Sequence, residues 1–166
     1  MTLLLAAVGA TVAALFELTV GTYLRVGDAQ PHLVLVGTVI VTIVIGLEPG
    51  LVWAFVGGLG LDVLADRPLG STAFALLLCA GGASIIGRLL ARIRPLAPII
   101  ATFALSIAYS MMLFTLVSAL RTPIPVTDPL GIVLPGAVYD TILATIIGPL
   151  AVSIHDRRAQ RERVDW

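Results

Sequence analysis

Glu48-Pro49-Gly50-Leu51-Val52-Trp53-Ala54-Phe55-Val56-Gly57-Gly58-Leu59-Gly60-Leu61-Asp62-Val63-Leu64-Ala65-Asp66-Arg67-Pro68-Leu69-Gly70 is the stretch that decides the fold. From Leu51 to Leu64 it is apolar except for Asp62, and its second half is rich in glycine. Pro68-Leu69-Gly70 then breaks the run, and a second apolar run follows at once. Proline disfavours helix in the residue before it, and glycine frees the backbone. Two apolar runs divided by such a break read as consecutive membrane helices. An acid inside one of them is costly unless it is paired, hydrogen-bonded or protonated.

The rest of the chain agrees. Of its 166 residues 58% are hydrophobic and 12% charged, against about 25% charged in ordinary soluble domains. The mean hydropathy is +1.06, so most of the surface is expected to meet lipid. The formal net charge is zero, and the first half has no basic stretch of the kind that binds nucleic acid. Cys79 stands alone in an apolar run, and no Cys/His spacing suits zinc. No cofactor or metal is expected. Met1 to Phe16 carries no charged side chain and lacks the basic start of a secretory leader, so it reads as a retained first span.

A spanning helix needs about 20 largely apolar residues. Six candidates appear: 3–23, 32–47, 49–64, 69–89, 96–120 and 129–154. The second and third are short, and Glu48-Pro49-Gly50 is expected to join them as a tight hairpin. The expected fold is therefore all-α, a polytopic bundle of about six transmembrane helices. Residues 1–155 form one membrane domain and 156–166 a short basic tail. All basic residues are arginine. With six spans, Arg88, Arg92, Arg94, Arg157, Arg158, Arg161 and Arg163 fall on one side and Arg25, Arg67 and Arg121 on the other. The excess of basic residues on the cytoplasmic side then places both termini in the cytoplasm. The tail is expected to anchor the last helix at anionic lipid headgroups.

Three acids fall within the spans: Glu17, Asp62 and Asp140, the last beside Tyr139. They are expected to face the bundle interior, to be protonated, or to pair with Arg25, Arg67 or Arg121. Three uses are open: a proton or cation path, a polar ligand cavity opening outward, and a set of interhelical hydrogen bonds that fix packing. Ala6, Ala10 and Ala14 form a small-residue face on the first helix, and Gly57, Gly58 and Gly60 form another on the third. Such faces let helix backbones approach closely, within one chain, in a homodimer or against a partner's helix. There is no phosphate-binding glycine loop. Neither His32 nor His155 is expected at the depth of a catalytic serine, so an enzyme is not expected.

Pro31-His32-Leu33-Val34-Leu35, Glu48-Pro49-Gly50, Gly57-Gly58-Leu59-Gly60-Leu61-Asp62, Pro68-Leu69-Gly70 and Pro135-Gly136-Ala137-Val138-Tyr139-Asp140 together resemble the rod shape-determining protein MreD family. Residues 31–90 are the specific part. His32 departs from the acid or Asn common in that family, and Asp140 from Asn. The resemblance implies a non-enzymatic scaffold of the bacterial inner membrane. Its implied partners are an MreC-like single-span protein with a β-rich domain, MreB filaments, RodA and a class B penicillin-binding protein. They direct lateral peptidoglycan synthesis and rod shape. Gly57, Gly58, Gly60, Asp62, Pro68 and Gly70 would form its structural or partner-binding motif. The family fold is similar to the S components of energy-coupling-factor transporters. This leaves a vitamin- or metabolite-binding subunit, docking through the Ala6/Ala10/Ala14 face, as the alternative.

Overall fold

The computed structural model describes residues 1–21, 23, 30–93, 96–120 and 129–164. Arg25, Arg94 and Arg121 lie outside the described residues, as do the side chains from residue 156 onward. Six α-helices follow one another: α1 (Thr2–Thr19), α2 (Leu33–Val44), α3 (Leu47–Leu64), α4 (Ser71–Leu89), α5 (Ala97–Leu120) and α6 (Pro129–Val164). A single turn of 3-10 helix, Ala91–Ile93, links α4 towards α5. No strand occurs among the described residues.

Five of the six are long and apolar enough to cross a membrane. The exception is α2, whose 12 residues reach about 18 Å at 1.5 Å per residue. A hydrocarbon core is about 30 Å thick, so α2 cannot span it alone. It lies instead at the centre of the bundle. Val34, Leu35, Val36, Thr38 and Val39 are all 2% exposed or less, and α2 packs against every other α-helix. The chain is thus a multi-pass membrane bundle with one short helix enclosed by five long ones.

Small residues set how closely these helices pack. Ala10 and Ala14 of α1 face Gly57 and Gly60 of α3, which shows that the two helices run parallel. A methyl on Gly58 would collide with the backbone of Ala73, so α3 and α4 approach to backbone contact there. Gly9 and Gly37 leave the notch that the Trp53 ring fills. The Trp53 indole Nε1 donates to the Val34 carbonyl at 3.1 Å, fixing the ring between α1, α2 and α3.

The turn between α2 and α3 lies earlier than the sequence reading placed it. Gly46, at φ 140°, makes the turn, and α3 begins at Leu47. Glu48-Pro49-Gly50 is therefore the first turn of α3 rather than a hairpin. Proline is tolerated there because first-turn N–H groups have no intrahelical acceptor. Helix α6 likewise runs past the expected span end at Ile154 to Val164.

The up-and-down order gives the bundle two distinct ends. Gly50 packs against Thr42, Gly87 against Ile43 and Gly148 against Pro98. One end accordingly holds the start of α1, the α2–α3 turn, the close of α4 and the start of α5. The opposite end holds the starts of α2 and α4, and the three embedded acids gather there.

Candidate functional site

The start of α2 is buried, and its first N–H groups have no acceptor of their own. His32, in the capping position, supplies no side-chain cap. Two acids from remote helices supply it. Glu17, in the last turn of α1, accepts the Val34 N–H at 2.8 Å through Oε2. Asp140 of α6 accepts the His32 N–H at 2.8 Å through Oδ1. The other oxygen of Asp140 lies 2.6 Å from the Ser106 hydroxyl of α5, which donates to it. It also lies 2.9 Å from His32 Nδ1. Glu17 is 8% exposed and Asp140 0%, and both oxygens of Asp140 are taken up by protein donors.

Two further side chains close this cluster. The Tyr109 ring stands edge-on to His32, with centroids 5.4 Å apart. Arg67, in the α3–α4 connection, donates to Thr72 Oγ1 at 3.4 Å and reaches towards the Tyr109 hydroxyl. Its guanidinium lies within electrostatic reach of Glu17 and His32, and sets a positive charge against the carboxylates. Glu17 and Asp140 thus sit beside positive or hydrogen-bonding groups, which offsets the cost of a carboxylate in lipid.

Asp62 caps α4 in a similar way. Its Oδ2 accepts the Gly70 N–H at 2.9 Å and its Oδ1 the Thr72 N–H at 3.0 Å. The Ser71 hydroxyl lies 2.8 Å from the Pro68 carbonyl and 3.2 Å from Asp62 Oδ1, sharing one proton between them. Gly70 has φ 89°, a left-handed conformation that places three successive donors around one carboxylate. Asp66 takes φ 50° in the same connection, which aspartate tolerates better than most side chains. Pro68 and Gly70 therefore shape the loop that Asp62 binds.

All three acids flagged in the sequence act on helix starts, two on α2 and one on α4. The glycines and alanines flagged with them are engaged inside the chain. Gly57 meets Val34 and Ala10, Gly58 meets Ala73, and Gly60 meets Ala14. Ala6, Ala10 and Ala14 are 6%, 0% and 1% exposed. Ala10 and Ala14 of this face pack against Gly57 and Gly60 of α3. Tyr139 is half-buried rather than buried, and Tyr109 is the tyrosine that joins the cluster.

The sequence reading missed His32, Ser106 and Tyr109. It placed both histidines away from any serine, yet Ser106, His32 and Asp140 meet here. Their order matters. In a nucleophilic relay the histidine stands between serine and acid. Here Asp140 stands in the middle and accepts from both, and Ser106 is 0% exposed. The arrangement ties α2, α5 and α6 together through one carboxylate. No group of three His, Cys, Asp or Glu able to hold a metal occurs among the described residues. The Cys79 thiol is buried and lies 3.8 Å from the Leu105 carbonyl.

Compared with known protein families, with curated proteins and with solved structures, the chain matches none.

Proposed function

We propose that this chain is a non-enzymatic membrane scaffold of the MreD type, seated in a bacterial inner membrane with both termini in the cytoplasm. It would hold the transmembrane helix of an MreC-like protein and, through that protein, contribute to an assembly with MreB, RodA and a class B penicillin-binding protein. The observation that carries this reading is the use made of the embedded acids. Glu17, Asp62 and Asp140 each bind the start of a helix, so these three acids serve packing. A rigid bundle with apolar outer faces is what a helix-binding scaffold needs, since association in lipid rests on shape and close packing. Asp62, Pro68 and Gly70, central to the resemblance, form one connected structural unit, which gives that motif a physical role.

The S-component alternative is supported less well, because Ala10 and Ala14 of the face it would dock through pack against α3.

Co-purification of the full chain with an MreC-like single-span protein from the same membrane tests the proposal. Asp62→Leu is expected to lower recovery of the partner more than Asp66→Ala at equal membrane levels. Equal recovery for both variants, or no recovery with the native chain, counts against a scaffold built on this motif.

A further inference from the structure

At the end of the bundle opposite the acids, a cavity of about 330 Å³ opens between the α2–α3 turn, the last turns of α4 and the start of α5. Its size falls at the lower limit of small-molecule sites. Arg88 and Ser84 line it together with Thr42, Ile43, Leu47 and Ala97. No acid lines it. The Thr42 hydroxyl is spent on the Thr38 carbonyl. Neither the Arg88 guanidinium nor the Ser84 hydroxyl has a hydrogen-bond or ion-pair partner among the described residues.

Two helices start at these walls, α3 and α5, and two end there, α2 and α4. Their end charges oppose one another, so Arg88 sets the sign of the cavity. Gly46 contributes to the same wall, and a side chain built on it would meet nothing within 4 Å. Among the described residues the cavity therefore combines the Arg88 guanidinium and the Ser84 hydroxyl with apolar walls from Ile43, Leu47 and Ala97. It lies at the end of α4, a helix long and apolar enough to cross a membrane. A guanidinium and a hydroxyl suit a phosphate oxygen cluster, and arginine favours phosphate through paired N–H donors. The apolar walls suit the glycerol and first methylenes that follow a lipid phosphate.

We infer that this cavity binds the phosphate of an anionic membrane phospholipid, with Arg88 and Ser84 as its donors. This inference is independent of the scaffold proposal, because it concerns residues at the other end of the bundle.

The test uses the full chain purified in detergent doped with phosphatidylglycerol, with retained lipid read by native mass spectrometry. The native chain is expected to keep one lipid. Arg88→Gln is expected to weaken retention about tenfold, the effect of losing one charge-assisted contact. Ser84→Ala should weaken it less. Arg92 is exposed one turn further on and does not line the cavity, so Arg92→Gln should leave retention within about twofold if the cavity rather than general surface charge holds the lipid. Arg88 is exposed, so its replacement should not unfold the chain, and an unchanged thermal midpoint checks this. Equal loss with Arg92→Gln overturns the inference. So does full retention by Arg88→Gln. Stabilisation by inorganic phosphate with no lipid retained assigns the cavity to a free anion and overturns the lipid source.

Discussion

Helices α2 and α4 both start at the acid-bearing end of the bundle, and both are capped by carboxylates, but the caps come from different distances. For α4 the acid is Asp62, 8 residues before Gly70 and 10 before Thr72. For α2 the acids are Glu17, 17 residues before Val34, and Asp140, 108 residues after His32. A local cap fixes one loop. A remote cap fixes the relative placement of whole helices, so the start of α2 records whether α1, α5 and α6 have arrived. The physical need is the same in both, a buried helix start with N–H groups that water cannot reach. Helix α2 is too short to carry its start out to the headgroups, which is why its caps have to come from its neighbours.

The largest expected effect breaks the remote cap. Asp140→Leu removes the acceptor for the His32 N–H, the His32 ring and the Ser106 hydroxyl together. It is expected to cost about 3–5 kcal/mol, the range for breaking a buried polar pair, read by denaturant titration of the purified chain in micelles. A loss no larger than that of Asp62→Leu would erase the distinction between the caps.

Asp62→Leu comes next, at about 2–4 kcal/mol for the orphaned Gly70 and Thr72 N–H groups and the more weakly held Ala73 N–H. Its effect should be smaller because Ser71 keeps the Pro68 carbonyl as a partner. Limited proteolysis at the α3–α4 connection should rise for this variant and not for Asp140→Leu.

Gly58→Ala sharpens the contrast further. The added methyl would meet the Ala73 backbone and push α4 away from Asp62, costing about 1–3 kcal/mol by overpacking. A double-mutant cycle should show coupling between Gly58→Ala and Asp62→Leu, and additivity between Gly58→Ala and Asp140→Leu. The reverse pattern would mean that the two caps are one unit.

The smallest effect is expected for Glu17→Gln, below about 1 kcal/mol, because an amide oxygen still accepts from Val34. A large loss there would show that the charge of Glu17 near His32 and Arg67, rather than the cap itself, holds α2.

The same contrast explains what could be read in the sequence. Six helices follow from the apolar runs and their breaks. The Asp62 loop is also legible, because acid, Pro68, Gly70 and the Ser71-Thr72 donors lie within 11 residues. The α2 cluster is not. Nothing in the order of residues says that residue 140 meets residue 32, or that Tyr109 rather than Tyr139 faces it. Pro49 misled for a local reason, since proline breaks a helix in its interior and is accepted in its first turn. The small-residue faces were legible as faces, but which helix fills each depends on how α1 and α3 run, and that is set by the whole bundle.

The remote cap has a consequence for how the chain is made. Glu17 is synthesised before α2 and Asp140 long after it. While α3, α4 and α5 are being laid into the membrane, one donor of α2 already has its acceptor and another waits for α6. The short helix therefore keeps an open polar end until the last span is in place, and it is the final insertion step that closes it. Any lesion that delays or tilts α6 leaves the His32 N–H without its acceptor.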